Sequence, residues 1–413
     1  MTHLVGRLQH CSGQPSLDLS HIDLSNEGDA KSVVKSIYEN KFVDIDLSVC
    51  GITSDVLRTL ANSLRKNTQL QYLFLNNNSI DSTGITTITG ILRGNKNIES
   101  INLRGNQLFP AEITYTEDDE EDQSEIEELV ETCCELQNLK SICGCGEFNQ
   151  EIIVSATGSD SELYSDILLL GIELKLGVDL TALQYWGSVG LSEVFEALKD
   201  NRTVLHAQFN RFQEGTIDFD SLLTSCLQSN SNLKSLQFAF EPFDASNTVG
   251  YGKLQRQQQA GKNTLIAIWN SLENNVGVTS LQLDAWARDA DTTAALAVLL
   301  RKNATLLHLS LFHTALLVED LVMIAHSLEY NNALRVISVN KTAYIAGDTS
   351  NGRTSPNHLT QSSGGRSTAR GSKIFKMKPP PAGTNLLIIP EVRARFEAAY
   401  KARKVPFIIR YSF

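Results

Sequence analysis

Five of the ten spacings between successive copies of one short apolar pattern are 28 residues, and that regularity constrains the fold more than any other feature of the chain. The pattern is a leading residue followed by apolar residues at +3 and +5. It starts at Gln14, Phe42, Leu70, Ile98, Leu139, Leu180, Val204, Leu233, Val278, Leu306 and Leu334. A period of this size requires a stack of like units, each too small to bury its own apolar face.

Two halves of the unit are visible. LQYLFLNNNSI (70–80) and IESINLRGNQL (98–108) fit L-x-x-L-x-L-x-x-N-x-L, a short strand with alternating side chains followed by a turn. The Asn amide has a task there, bonding turn backbone groups that would otherwise be buried unpaired. FVDIDLSVCGIT, from Phe42, puts Cys50 at that position, where a thiol does the work weakly. The second half ends in L-x-x-N-x-x-L, as in LRKNTQL (64–70), LRKNATL (300–306) and LEYNNAL (328–334). Helical spacing precedes it, as at Val56, Leu57, Leu60, Ala61 and Leu64. The Asn at the helix end is expected to adopt the left-handed cap conformation.

A 28-residue unit with a full helix resembles the ribonuclease-inhibitor-like class of leucine-rich repeats, over about residues 4–342. The resemblance implies an α/β solenoid, a curved horseshoe with a parallel inner sheet and outer helices, of about eleven strand units. Residues 1–13 read as an N-terminal capping half-repeat and 14–342 as the solenoid, with insertions near 109–125, 147–160 and 245–263. The first contains the acidic run EDDEEDQSEIEE, read as a solvated loop leading into a helix. In the second, Ser159 and Glu162 form a capping-box pattern. The third is polar and expected to be flexible. Residues 343–385 read as a flexible basic linker, and 386–413 as a helix and strand that either cap the solenoid or dock elsewhere.

Charge narrows the function. Of the formal −11, residues 343–413 carry +9, with 12 Lys+Arg against 3 Asp+Glu, leaving −20 on residues 1–342. Such a body is a poor surface for phosphate backbones, so no nucleic-acid partner is expected; a protein partner with a basic surface fits better, and the basic tail could dock an acidic surface. The start has no secretory pattern and no stretch approaches the ~20 apolar residues of a membrane span. Seven scattered cysteines fit a reducing, cytoplasmic setting. Phosphate-loop, zinc-protease and nucleophile-elbow motifs are absent, and no cofactor, metal or catalytic role is expected. Cys133 takes a core helix position. Cys143 and Cys145 fall on outward strand positions, open to a metal or redox role but without C-x-x-C spacing.

What remains is a surface. Residues between the consensus leucines are expected to line a concave face: Asp44 and Asp46; Tyr72, Phe74 and Asn76; Asn102 and Arg104; Trp186; His206; Asp284; His308 and Phe312. Aromatics and an arginine on a polar face suit protein binding. The expected function is an intracellular scaffold that binds a partner protein there, without enzymatic activity. The repeat class also implies two alternatives, a GTPase regulator like the Ran GTPase-activating proteins and a cytoskeletal protein like tropomodulin.

Overall fold

The computed structural model describes residues 2–109, 120–145, 150–156, 161–176, 180–187, 190–212, 217–240, 251–284, 289–312, 316–340, 390–404 and 406–412. The chain forms two compact units, Met1–Leu205 and His206–Phe413. The first contains α1 (Thr2–Cys11), β1 (Ser16–Asp18), α2 (Glu27–Asn40), β2 (Asp44–Asp46), α3 (Ser54–Lys66), β3 (Tyr72–Phe74), α4 (Ile85–Gly94), β4 (Ser100–Asn102), α5 (Glu120–Glu135), β5 (Glu151–Ala156), α6 (Ser161–Leu176), β6 (Ala182–Gly187) and α7 (Leu191–Asp200). Strands β1 to β4 pair in sequence order, all parallel, and β5 pairs parallel with β6. The second unit contains β7 (His206–Phe212), α8 (Ile217–Ser229), β8 (Ser235–Phe240), α9 (Tyr251–Leu272), β9 (Ser280–Asp284), α10 (Ala290–Lys302), β10 (His308–Phe312), α11 (Val318–Leu328), β11 (Val336–Asn340), α12 (Pro390–Ala402) and β12 (Ile408–Ser412). These six strands also run parallel in sequence order. Strand, helix and parallel strand repeated in this way are the leucine-rich-repeat architecture.

Register makes the core. Leu17, Ile45, Leu73 and Ile101 stack in one row, and Leu19, Leu47, Leu75 and Leu103 form the next; every one is fully buried. Leu57, Leu60 and Leu64 of α3 close the row from the helix side. Chain reversal after each strand uses a left-handed residue at the same place in four successive units, His21, Val49, Asn77 and Gly105, with φ of 62°, 57°, 55° and 68°. A β-branched residue tolerates that conformation worst, so Val49 marks a strained point.

The turn asparagines do what their position requires. Asn78 Oδ1 accepts from Cys50 N at 2.9 Å and Ile52 N at 3.0 Å, while Nδ2 donates to Leu47 O at 2.9 Å and Leu75 O at 2.8 Å. Asn106 repeats the arrangement one unit on, bonding Ile80 N, Leu75 O and Leu103 O. Cys50 manages the donor half, its thiol reaching Leu19 O at 3.1 Å. Burial pushes that thiol up to about 11, which keeps its proton in place as the donor.

The helix-end asparagines work by a different route from the one expected. Asn67, Asn95, Asn201 and Asn303 have φ of −78°, −128°, −64° and −70°, extended rather than left-handed. Each instead uses its amide to tie two units together. Asn303 donates to Leu272 O of the preceding helix end at 2.7 Å and accepts from Leu306 N at 2.7 Å; Asn331 does the same with Leu300 O at 2.6 Å and Leu334 N at 2.8 Å. A left-handed cap appears at Lys41, where φ is 49°.

Three departures from the repeat pattern have physical causes. The unit starting at Leu139 forms no regular strand, and Ser141 and Cys143 make isolated bridges to β4. Its ladder donors are diverted: Ser141 Oγ accepts from Cys143 N and Cys145 N at 3.2 and 2.7 Å, and Glu173 of α6 takes Ile142 N at 2.7 Å and Cys143 N at 3.0 Å. The strand of this region is β5, inside the stretch read as the 147–160 insertion. The polar 245–263 segment is helical from Tyr251, where α9 begins, so the flexible reading does not hold there. The acidic insertion becomes helix at Glu120. The 343–385 linker and the cap pattern at Ser159 lie outside the described residues.

At the C-terminal end, β12 extends the sheet beside β11, with Val336 opposite Ile408. That register puts Arg403 in the ladder position held by Asn331 one unit earlier. Its guanidinium is buried, donates to Leu334 O and lies 4.9 Å from the Phe407 ring centroid.

Candidate functional site

Strands β1 to β3 bury alternate residues and turn the others outward, half-exposed: Asp44 and Asp46 on β2, Tyr72 and Phe74 on β3. Parallel register sets Asp44 directly beside Tyr72 and Asp46 beside Phe74. Asp18 of β1 lies beside Asp46 on the other side. Two of the three carboxylates are partly used by their own turns. Asp18 accepts from Ser20 Oγ at 2.7 Å and Ser20 N at 3.0 Å, and that hydroxyl, helped by Arg7 3.6 Å away, holds the carboxyl below its usual range. Asp46 accepts from Ser48 N at 2.9 Å through one of its two oxygens. Asp44 has neither a hydrogen bond nor an ion pair among the described residues, and burial raises its pKa. Asn76 follows Phe74 on the same side and is half-buried.

The face closes at β4. The 141–145 segment crosses it: Ser100 is buried, with its hydroxyl 3.4 Å from Cys145 O, and Asn102 lies against Gly144. Arg104 is engaged inside the unit rather than presented as an anchor. Its Nη2 donates to Ile153 O at 2.7 Å, and Nε lies 3.6 Å from Asp166, which also accepts from Gly105 N. Asn102 Oδ1 accepts from Arg104 N at 3.2 Å, a turn-forming contact. Cys143 and Cys145 are buried rather than outward, and burial beside Glu173 pushes both thiols up, away from thiolate chemistry. Among the described residues no group of three His, Cys, Asp or Glu is placed to hold a metal ion.

On β5 and β6, Trp186 is exposed, and Ile153, 51% exposed, stands diagonally next to it. Ile153 is not among the residues expected from the sequence, because β5 lies within the stretch expected to be an insertion. The β-branched run Ile152, Ile153 and Val154 between polar residues is the strand signal that points to it.

In the second unit, His206 and His308 are exposed on one register row but three strands apart, about 14 Å at ordinary strand spacing, so they do not act together. The next row is neutral, with Gln208, Gln237, Gln282 and Ser310 in register. Asp284 is paired with Phe312 in the third, both half-buried. The expected residues thus fall into separate groups; acidic and aromatic residues stand in register as two pairs on β2 and β3 and as the single pair Asp284 and Phe312 on β9 and β10.

Neither a protein-family model nor a curated protein matches this chain. Solved structures do. The leucine-rich repeat-containing protein LegL7 from Legionella pneumophila is 16% identical, covering 79% of this chain and 81% of that one with a TM-score of 0.32. Leiomodin-1 actin-binding site 2 is 20% identical over 37% of this chain and 80% of that one, TM-score 0.28. TLR13, in a complex with ssRNA13, is 10% identical over 83% of this chain and 38% of that one, TM-score 0.32. Likenesses at this level carry no information about a partner. The repeat architecture rests on the register of this chain's own strands.

Proposed function

We propose that this protein is a non-enzymatic, intracellular interaction scaffold that binds a partner protein on the outward sheet face of its first unit. The observation that carries this reading is the pairing, in register, of half-exposed rings with carboxylates at Asp44 and Tyr72 and at Asp46 and Phe74. Aromatic anchors beside polar groups, set on rigid strands, are what a protein interface needs. The acidic body favours a partner with a basic surface, through faster encounter more than through tight ion pairing. Seven free cysteines suit a reducing compartment such as the cytoplasm, and no helix among the described residues is long and apolar enough to cross a membrane.

For the GTPase-regulator alternative Arg104 and Asn102 are unassigned candidates, and the bonds of Arg104 to Ile153 O and toward Asp166 speak against its reaching a partner's site. We take the C-terminal helix and strand as a cap, since β12 covers the edge of β11. The test is retrieval of a dominant partner by the full chain and by the Tyr72→Ala, Phe74→Ala double variant. Retention by the double variant, with loss on neutralising the basic residues of 343–413, would move the function to the tail.

A further inference from the structure

The face on β2 and β3 has a repeat of its own, finer than the 28-residue one. Asp44 sits beside Tyr72; two residues along, Asp46 sits beside Phe74. Neighbouring strands lie about 4.8 Å apart, and residues i and i+2 about 6.7 Å apart along a strand. Each pair therefore offers a carboxylate and a ring at one strand spacing, and the two pairs are separated by one strand repeat. A guanidinium is the group that uses both halves at once, donating in its plane to a carboxylate while stacking on an aromatic ring. Asp44 is open for it, having no internal partner among the described residues, and Asp46 has an oxygen free of its turn bond. No Lys or Arg stands on the outward positions of β1 to β4, Ser16, Asp18, Asp44, Asp46, Tyr72, Phe74, Ser100 and Asn102, to compete for these carboxylates.

From this geometry, and resting on the scaffold reading above, we infer that the partner docks an extended segment carrying Arg-x-Arg, its two guanidinium groups seated on Asp44 with Tyr72 and on Asp46 with Phe74. An extended partner chain also repeats on one side about every 6.7 Å, so alternate arginines match the two seats. Adjacent arginines would point to opposite sides, and arginines three apart would do the same about 10 Å apart. Lysine reaches the carboxylates but neither forks nor stacks as well.

The test is titration of the full chain with fluorescent peptides of equal charge, carrying Arg-x-Arg, Arg-Arg, Arg-x-x-Arg or Lys-x-Lys in one Gly/Ser frame. The expected result is Arg-x-Arg binding about 10-fold tighter than Arg-x-x-Arg, with Lys-x-Lys weaker by several-fold. Asp46→Asn, which keeps the turn acceptor, and Phe74→Leu, which keeps apolar volume, should each reduce that preference at least about 5-fold. Equal affinity for all four peptides, no binding, or a preference untouched by both variants would overturn the inference. So would concentration-dependent self-association abolished by Asp46→Asn, which would make a second copy the occupant. If partner retrieval is lost in the Tyr72, Phe74 double variant while the peptides are not distinguished, the face still binds and the Arg-x-Arg pattern alone fails.

Discussion

Replacing Asn78 with Ala should be among the most damaging single changes in the first unit, although it removes no apolar surface. The amide of Asn78 satisfies two buried N–H groups, Cys50 and Ile52, and two carbonyls, Leu47 and Leu75. Leu75 O keeps a second donor, Asn106 Nδ2 at 3.0 Å, so three backbone groups lose their side-chain partner. An unsatisfied buried group costs about 1–3 kcal/mol, and water entering the turn would recover part of this, giving about 3–5 kcal/mol in all. Cys50→Ala at the equivalent place one unit earlier should cost about 1 kcal/mol, because a thiol is a weak donor and Leu19 O also accepts from Ile22 N. Urea denaturation of both variants, with hydrogen exchange read at the Cys50 and Ile52 amides, measures the difference. Equal costs for the two, with both amides still protected in Asn78→Ala, would refute the view that the side-chain amide holds the turn.

Val49→Asn should stabilise the first unit by about 1 kcal/mol, since a β-branched residue is relieved of a left-handed conformation while little apolar burial is lost at a 41% exposed site; thermal denaturation reads the gain. Glu173 should make the fold pH-sensitive. Burial raises its folded pKa above the ordinary 4.5, so its contribution to stability is fully present below pH 4.5 and is lost as pH rises through the folded value. Glu173→Gln should flatten that slope in urea midpoints measured against pH, and an unchanged slope would count against it. Arg403→Asn should leave the second unit as stable or raise it by about 1 kcal/mol, because it removes a buried charge whose Nε and Nη1 have no hydrogen-bond partner among the described residues and restores the ladder residue. Denaturant midpoints for the two chains decide it.

Where side chains speak through periodicity, the sequence was readable. The leucine rows of β1 to β4 and the place of Asn78 follow from spacing, because strand alternation and the unit length leave one register that buries all the leucines. Asn67 and Asn303 show where spacing stops helping: the position was right, but an extended backbone with a bridging amide and a left-handed cap leave the same letter in the sequence. Ile142 and Cys143 lie in a stretch that matched the strand pattern, yet their amides go to Glu173, 31 and 30 positions away, which no local pattern connects to them. Arg104 looked available for the same reason, since its acceptor, Ile153 O, belongs to a strand read as an insertion. Pairing of Asp44 with Tyr72 and of Asp46 with Phe74 was implicit in the 28-residue register.

The outward face of β2 and β3 is the surface on which the proposed partner binding depends most. A photo-crosslinking residue placed at Tyr72, and in a second chain at Arg58 on the exposed side of α3, tests this directly. Crosslinked partner from position 72 and none from position 58 is the predicted result; crosslinking from position 58, with nothing from 72, would contradict it.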